Sequence, residues 1–289
     1  MQPDVQAASL RALRVLADSL SVAELERLIR SGQLDAIVRD LIDQPTLDRA
    51  FLSYRQRVRR ATERSFDYGV KGLPKGGKID GTVAVMFDHL SPDVITAIRT
   101  METKVLSSMQ TDVRDSVRAY VENGLRDGKN PRVIAKDLRA VIGMSPTQTA
   151  NAAKYEAKLV ASGKYPPDRI ARMVATYRKK AVALNAETNA RTATLDAYKA
   201  GQRLAWQQAA DQGIVDIGAL VKTWKGVMDE RERPEHVAMQ GETVPFDQPF
   251  TNGEMTPGDS TYNCRCVAIY RMERIPSTAP SFATLIEST

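Results

Sequence analysis

The chain has 289 residues, 43% hydrophobic but only 6% aromatic, which allows a normal core and favours helices packed through Ala, Leu, Val and Met over a β-rich fold. Its 41 basic and 35 acidic residues give a net charge of +6 and a pI near 9.3, a balance that suits DNA or an acidic protein surface as partner yet is far from histone-like. No run approaches the roughly 18 to 20 apolar residues that span a bilayer, the start lacks a basic region followed by an apolar core, and two cysteines one residue apart make no disulfide framework, so a cytoplasmic product with reduced thiols and no membrane partner is expected.

The first 45 or so residues read as short helices. Ser21-Val22-Ala23-Glu24 fits a capping box, Leu25, Leu28 and Ile29 form an apolar face, and Ser31-Gly32 ends the helix. After Pro45 the pattern predicts a longer helix over 46–69, rich in Arg49, Arg55, Arg57, Arg59, Arg60 and Arg64. Arg55, Arg59 and Arg60 are candidate contacts for phosphate or an acidic partner, although charge runs commonly mark a solvated face. Residues 71–81 read as a basic connector. There Gly72, Gly77 and Lys78 match phosphate-loop spacing, but Ile79 replaces the metal-binding hydroxyl, and a helix before with a strand-like Thr82-Val83-Ala84-Val85 after inverts the required context. ATP binding is therefore not expected.

Ser91-Pro92-Asp93 predicts a helix start, and Val94, Ile98, Met101, Val105, Met109, Val113 and Val117 trace one stripe down to about residue 123. Asp127-Gly128 turns the chain, Asn130-Pro131 starts a helix that Gly143 stops, and Ser145-Pro146 starts another. Pro166-Pro167 opens a helical region that ends near Gly213. It carries a second basic cluster including Arg178, Lys179 and Lys180, also candidates for DNA or partner contact. Beyond Gly213, Val215-Asp216-Ile217 and Leu220-Val221-Lys222-Thr223-Trp224 alternate like strands, and 266–270 reads as a closing strand. The expected organisation is an N-terminal helical segment with a basic helix and linker at 1–80, a long-helix body at 81–213, a small α+β module at 214–270 and an extended arm at 271–289. The fold class is mainly α, an elongated helical body with a small C-terminal α+β module.

The densest chemistry lies in that module. Trp224 is followed by Asp229, Arg231, Arg233 and His236, then Gly241, Phe246 and Phe250, Pro257-Gly258, and Asn263-Cys264-Arg265-Cys266. The array resembles the C-terminal module of the Mu F-like minor head proteins, also called phage head morphogenesis proteins. Residues 189–206 resemble the helix that precedes this module, but where the family usually reads Ala-Arg-Thr-Glu-Thr this chain has Ala190-Arg191-Thr192-Ala193-Thr194, so a Glu to Arg pair within that helix is in question. Residues 91–150 are more loosely similar to the family's middle region, closing on Ile142-Gly143-Met144-Ser145. The resemblance extends over about 90–270.

It implies a minor head protein of a tailed bacteriophage, a portal-associated virion component acting in head morphogenesis and in DNA packaging or ejection. Implied partners are the portal protein, a capsid or scaffolding protein, and packaged double-stranded DNA through non-specific contacts. The implied location is the head near the portal vertex, reached from the bacterial host cytoplasm during assembly. Two alternatives remain, a non-virion DNA-binding assembly factor and a zinc- or thiol-dependent enzyme.

Asp229, His236, Cys264 and Cys266 have metal-ligand identities, and cysteines two apart on a strand project to one face. With Asp229 or water as the fourth ligand they would form a zinc site, but Cys-x-Cys lacks the usual knuckle spacing. The residues therefore favour a miniature core of Trp224, Phe246, Phe250 and the cysteines, with no cofactor. In that reading Asp229, Arg233 and Gly241 shape the module, the arginines pair with Asp229 or Glu235, and His236 bonds a loop carbonyl. A cysteine nucleophile with His236 as base lacks any accompanying oxyanion loop or cofactor fingerprint, so no catalytic residue is assigned.

Overall fold

The computed structural model describes residues 1–74, 78–79, 82–83, 88 and 91–273. It is mainly helical, with a small three-stranded sheet near the C-terminal end of the described chain. The chain forms two compact units, Met1–Ser65 with Asp88–Ala200, and Phe66–Phe87 with Gly201–Thr289.

The first unit is built from α1 (Gln2–Ser19), α2 (Val22–Arg30), α3 (Leu34–Ala36) with a π-helical turn at Ile37–Leu41, and most of α4 (Gln44–Lys71). It continues with α5 (Pro92–Arg126), α6 (Pro131–Leu138), α7 (Pro146–Ala161) and most of α8 (Pro167–Asp211). Proline opens α5, α6, α7 and α8, where its missing N–H costs no helical bond. Asn130 caps Arg132 N, and Ser145 with Gln148 forms a reciprocal capping box. At Ser21 only half the box forms: its hydroxyl accepts from Glu24 N, while the Glu24 carboxylate turns to Arg27.

The core of this unit is one cluster that draws on Leu13 and Leu16 of α1, Leu28 of α2, Phe51 and Tyr54 of α4, Ile134 of α6 and small alanines of α8. The apolar stripe of α5 faces inward at Val94, Ile98, Met109, Val113 and Val117; the side chains of Met101 and Val105 lie outside the described ones. Gly143 takes a left-handed φ of 92°, and a Cβ there would meet Leu13 at 2.7 Å, so both its backbone and its neighbour call for glycine. Asn185 donates to the Gly143 carbonyl at 2.9 Å and Ser116 to that of Met144 at 2.7 Å, which ties the Ile142–Ser145 turn to α8 and α5.

In the second unit, α8 ends in a cap in which Ile214 N donates to Ala209 O at 2.8 Å and Gly213 N to Ala210 O at 2.9 Å. A 3₁₀ turn at Ile217–Ala219 follows, where a strand was expected from alternation. Asp216 accepts from Gly218 N at 2.9 Å, and this side-chain bond closes a turn instead. The sheet contains β3 (Leu220–Lys225), β4 (Thr243–Pro245) and β5 (Val267–Met272), with β3 in the middle and both neighbours antiparallel. The short helix α9 (Pro234–Ala238) lies between β3 and β4 in sequence.

Numbering strands in chain order, β1 (Lys78–Ile79) and β2 (Thr82–Val83) form a separate two-stranded pair. Lys78 therefore enters a strand where a phosphate loop needs a helix. Ala84 and Val85, Gly77, and the expected arm from 274 onward lie outside the described residues.

Candidate functional site in the C-terminal module

Central strand β3 places Lys222 and Trp224 on one face, both fully buried. Trp224 meets the edge of Phe250 at a centroid separation of 5.2 Å and that of His236 at 5.4 Å. Met239, Phe250, Cys264 and Cys266 complete this small core. Phe246 belongs elsewhere, against Tyr270 and under the Arg203 guanidinium. Gly241, at a φ of 82°, donates to Trp224 O at 3.0 Å and turns the chain into β4. Lys222 donates to the Met255 carbonyl at 2.7 Å and lies over the Phe250 ring. Burial, helped by Arg203, pushes its ammonium down to about 8.

Two segments converge beside Trp224, 226–236 and 262–266. Asp229 and Arg265 form a bidentate pair with both bonds at 2.6 Å, and Arg265 holds the Asp229 carboxyl down to about 2. Arg233 donates to the Tyr262 carbonyl at 3.0 Å. Met228 and Asn263, one on each segment, both adopt left-handed backbone, at φ of 61° and 57°. Between these ties the side chains of His236, Cys264 and Cys266 come together, all buried, with ligand atoms within 4.8 Å of one another. His236 Nδ1 is 3.6 Å from Cys264 Sγ and 3.5 Å from Cys266 Sγ. The imidazole thus faces thiols and not the loop carbonyl expected from sequence.

Glu232 joins this cluster. Its Oε2 accepts from Val227 N at 2.9 Å and Met228 N at 3.3 Å, while Oε1 lies 2.9 Å from Cys266 Sγ and 3.8 Å from His236 Nδ1. Its side chain is only 4% exposed, yet these bonds outweigh desolvation and hold it below the usual carboxylate range. Cys266 is pushed strongly up by its hydrogen bond with Cys264, by burial and by Glu232, so without a cation beside it this thiol stays neutral. A second buried carboxylate, Glu254, organises the loop before the cysteines. It accepts from Gly258 N at 2.7 Å, Ser260 N at 3.0 Å and the Ser260 hydroxyl, and these bonds lower its pKa against burial. Sequence reasoning passed over both glutamates. Their one signal was a position inside turns dense in Gly, Asp and Asn. Asp229, a candidate ligand from sequence, is instead committed to Arg265.

The basic candidates separate by burial. Arg59, Arg60, Lys179 and Lys180 are exposed, and Arg55 is half-buried with its guanidinium paired to Asp48. Arg178 differs from the expected solvent-facing base. It is 6% exposed, stacks on Tyr120, and reaches Glu156 at 3.4 Å and Asp137 at 3.6 Å.

The family profile described as phage Mu protein F like protein matches residues 115–269, more than half of the chain. The chain belongs to the phage Mu F-like family. No curated protein and no solved structure matches it. The matched span of this Mu F-like protein begins within α5, takes in the Gly143 turn and the whole of the His, Cys and Glu cluster, and closes in β5. Where the family helix usually carries Glu, Ala193 is fully buried in the core of the first unit. Arg191 takes its acid from Glu187, one turn earlier, at 2.9 Å. Among the described residues no helix is long and apolar enough to cross a membrane.

Proposed function

We propose that this Mu F-like protein is a minor head protein of a tailed bacteriophage, held at or near the portal vertex and acting in head morphogenesis, with a part in DNA packaging or ejection. The observation that carries the reading is the family match across residues 115–269. The role is structural and not catalytic: the cluster with nucleophile and base identities is buried behind Trp224, and its thiols are tied to Glu232 and His236. The partners are the portal protein, a capsid or scaffolding protein and packaged duplex DNA.

The exposed arginines of α4 support contact with DNA. That helix carries seven basic against three acidic residues, and Arg57, Arg60 and Arg64 line one shallow recess beside Met1 and Asp4. Contacts of this kind fix position on phosphates without reading sequence, and they weaken with salt. The deciding experiment is quantitative mass spectrometry of mature, DNA-filled particles against the portal subunit. From one to about a dozen copies per particle, the scale of one cyclic vertex assembly, is the expected result. Absence from full particles in which the portal is readily detected would overturn the virion role and leave a non-virion assembly factor.

A further inference from the structure

The geometry points to a structural zinc ion held by Cys264, Cys266, His236 and Glu232, and we propose this as a metal site of the C-terminal module. A tetrahedral zinc with Zn–S near 2.3 Å and Zn–N near 2.0 to 2.1 Å places a sulfur and a nitrogen ligand about 3.6 Å apart. His236 Nδ1 lies 3.6 Å and 3.5 Å from the two sulfurs, the separation required of each nitrogen and sulfur pair, and all three ligand atoms lie within 4.8 Å of one another. Glu232 Oε1, which borders Cys266 and His236, is the carboxylate oxygen at hand for the fourth position. It lies 2.9 Å from Cys266 Sγ and 3.8 Å from His236 Nδ1 but outside the 4.8 Å set that His236, Cys264 and Cys266 form, so this carboxylate must swing towards Cys264 Sγ when the ion binds.

Two thiolates, one imidazole and one carboxylate are a borderline-soft donor set that suits zinc over magnesium or calcium, which take oxygen ligands. All four groups come from the protein and the site is closed to solvent, which fits a structural ion and leaves no open position for substrate. The supporting bonds are those that outer partners of metal sites usually make. Val227 N and Met228 N fix Glu232 Oε2 and leave Oε1 aimed at the cluster. The Asp229–Arg265 and Arg233–Tyr262 ties hold the two ligand segments together. Unusually close Cys-x-Cys spacing is no obstacle here, because Asn263 in left-handed backbone precedes the pair and both sulfurs reach the same imidazole nitrogen. Binding replaces two S–H bonds with two S–Zn bonds and releases two protons, so retention must weaken as pH falls.

The test uses the full chain, expressed in zinc-supplemented medium and purified without chelator. Metal analysis is expected to find about one zinc per chain. After zinc is stripped with a chelator, titration with cobalt(II) is expected to give the intense visible bands of a tetrahedral thiolate site, saturating at about one equivalent. Cys264→Ser with Cys266→Ser should abolish both signals. Glu232→Gln should keep the thiolate to cobalt band while weakening retention by about tenfold or more, the scale on which even outer partners act. If the double variant fails to fold, the cobalt titration of the unaltered chain still decides. Wild-type protein with no bound zinc and no cobalt-thiolate band would overturn the proposal, and so would a cobalt spectrum unchanged in the double cysteine variant.

Discussion

Asp229 shows how one side chain can change role between sequence and structure. Its identity suited a metal ligand, but the planar Arg265 guanidinium offers it two parallel bonds at 2.6 Å, a geometry no water or ion bond displaces cheaply. The pair makes the module acid-sensitive in a defined window. An unfolded Asp titrates near 3.8 and the folded one at about 2, so the stabilisation is complete above about 4 and fades as pH falls through that interval. Acid unfolding followed by tryptophan fluorescence should show Asp229→Asn already lacking this contribution at neutral pH, with the gap between variant and wild type closing towards pH 2. A constant gap would mean that the bond's shape matters and its charge does not. His236, Cys264 and Cys266 were legible as a group because such residue types are rare in this chain. Glu232 and Glu254 were not, because a Glu within Asp229-Glu230-Arg231-Glu232-Arg233 reads as solvated charge and one after Asn252-Gly253 reads as part of an exposed turn. Only the backbone turn that directs Val227 N and Met228 N at Glu232 reveals it as buried.

Among the elements, helix starts were the most readable. Pro92, Pro131, Pro146 and Pro167 each open a helix, because a fixed φ and a missing donor are local properties that no tertiary contact needs to supply. Alternation was less secure at Ile217, where a single Asp216 bond outweighs the apolar period. Contacts between helices were not readable at all. Within the second unit, a Cβ on Gly69 of α4 would stand 2.6 Å from that of Ala205 on α8 and 3.1 Å from Gln202 Cα. The sequence shows only an ordinary glycine in a helix, a residue that usually weakens it. Gly69→Leu should therefore overpack this crossing and lower stability by about 1 to 3 kcal/mol, despite its better helix propensity. Chemical denaturation measures the change, and an unchanged or higher midpoint would show that the two helices separate without cost.

For the molecule as a whole, net charge is a poor guide to which bases are available. Arg178 and Lys179 are neighbours in sequence, yet one is enclosed by Tyr120, Asp137 and Glu156 while the other is exposed. The two kinds of base should respond differently to mutation. Replacing Arg57, Arg59 and Arg60 together with Gln should weaken binding to duplex DNA at low salt and reduce the slope of log K against log salt by about 0.9 for each phosphate no longer neutralised. Arg178→Gln should leave that slope alone and destabilise the fold by about 1 to 3 kcal/mol, since it removes a buried guanidinium from Asp137 and Glu156, which keep Tyr120 and Lys129 as partners. Fluorescence anisotropy over a salt series and a melting curve on the same samples separate the cases. A slope that changes only with Arg178 would reverse the assignment.

The interleaving of the two units has a consequence for the order of synthesis. Each unit is assembled from two separated stretches, and the second unit's first piece, 66–87, precedes its remainder by more than a hundred residues. At the roughly 5 to 20 residues per second of translation, the face of α4 around Gly69 waits on the order of ten seconds before the part of α8 that covers it leaves the ribosome. Throughout that interval the nascent chain presents the Gly69 side of α4 to whatever chaperone or neighbouring chain is at hand.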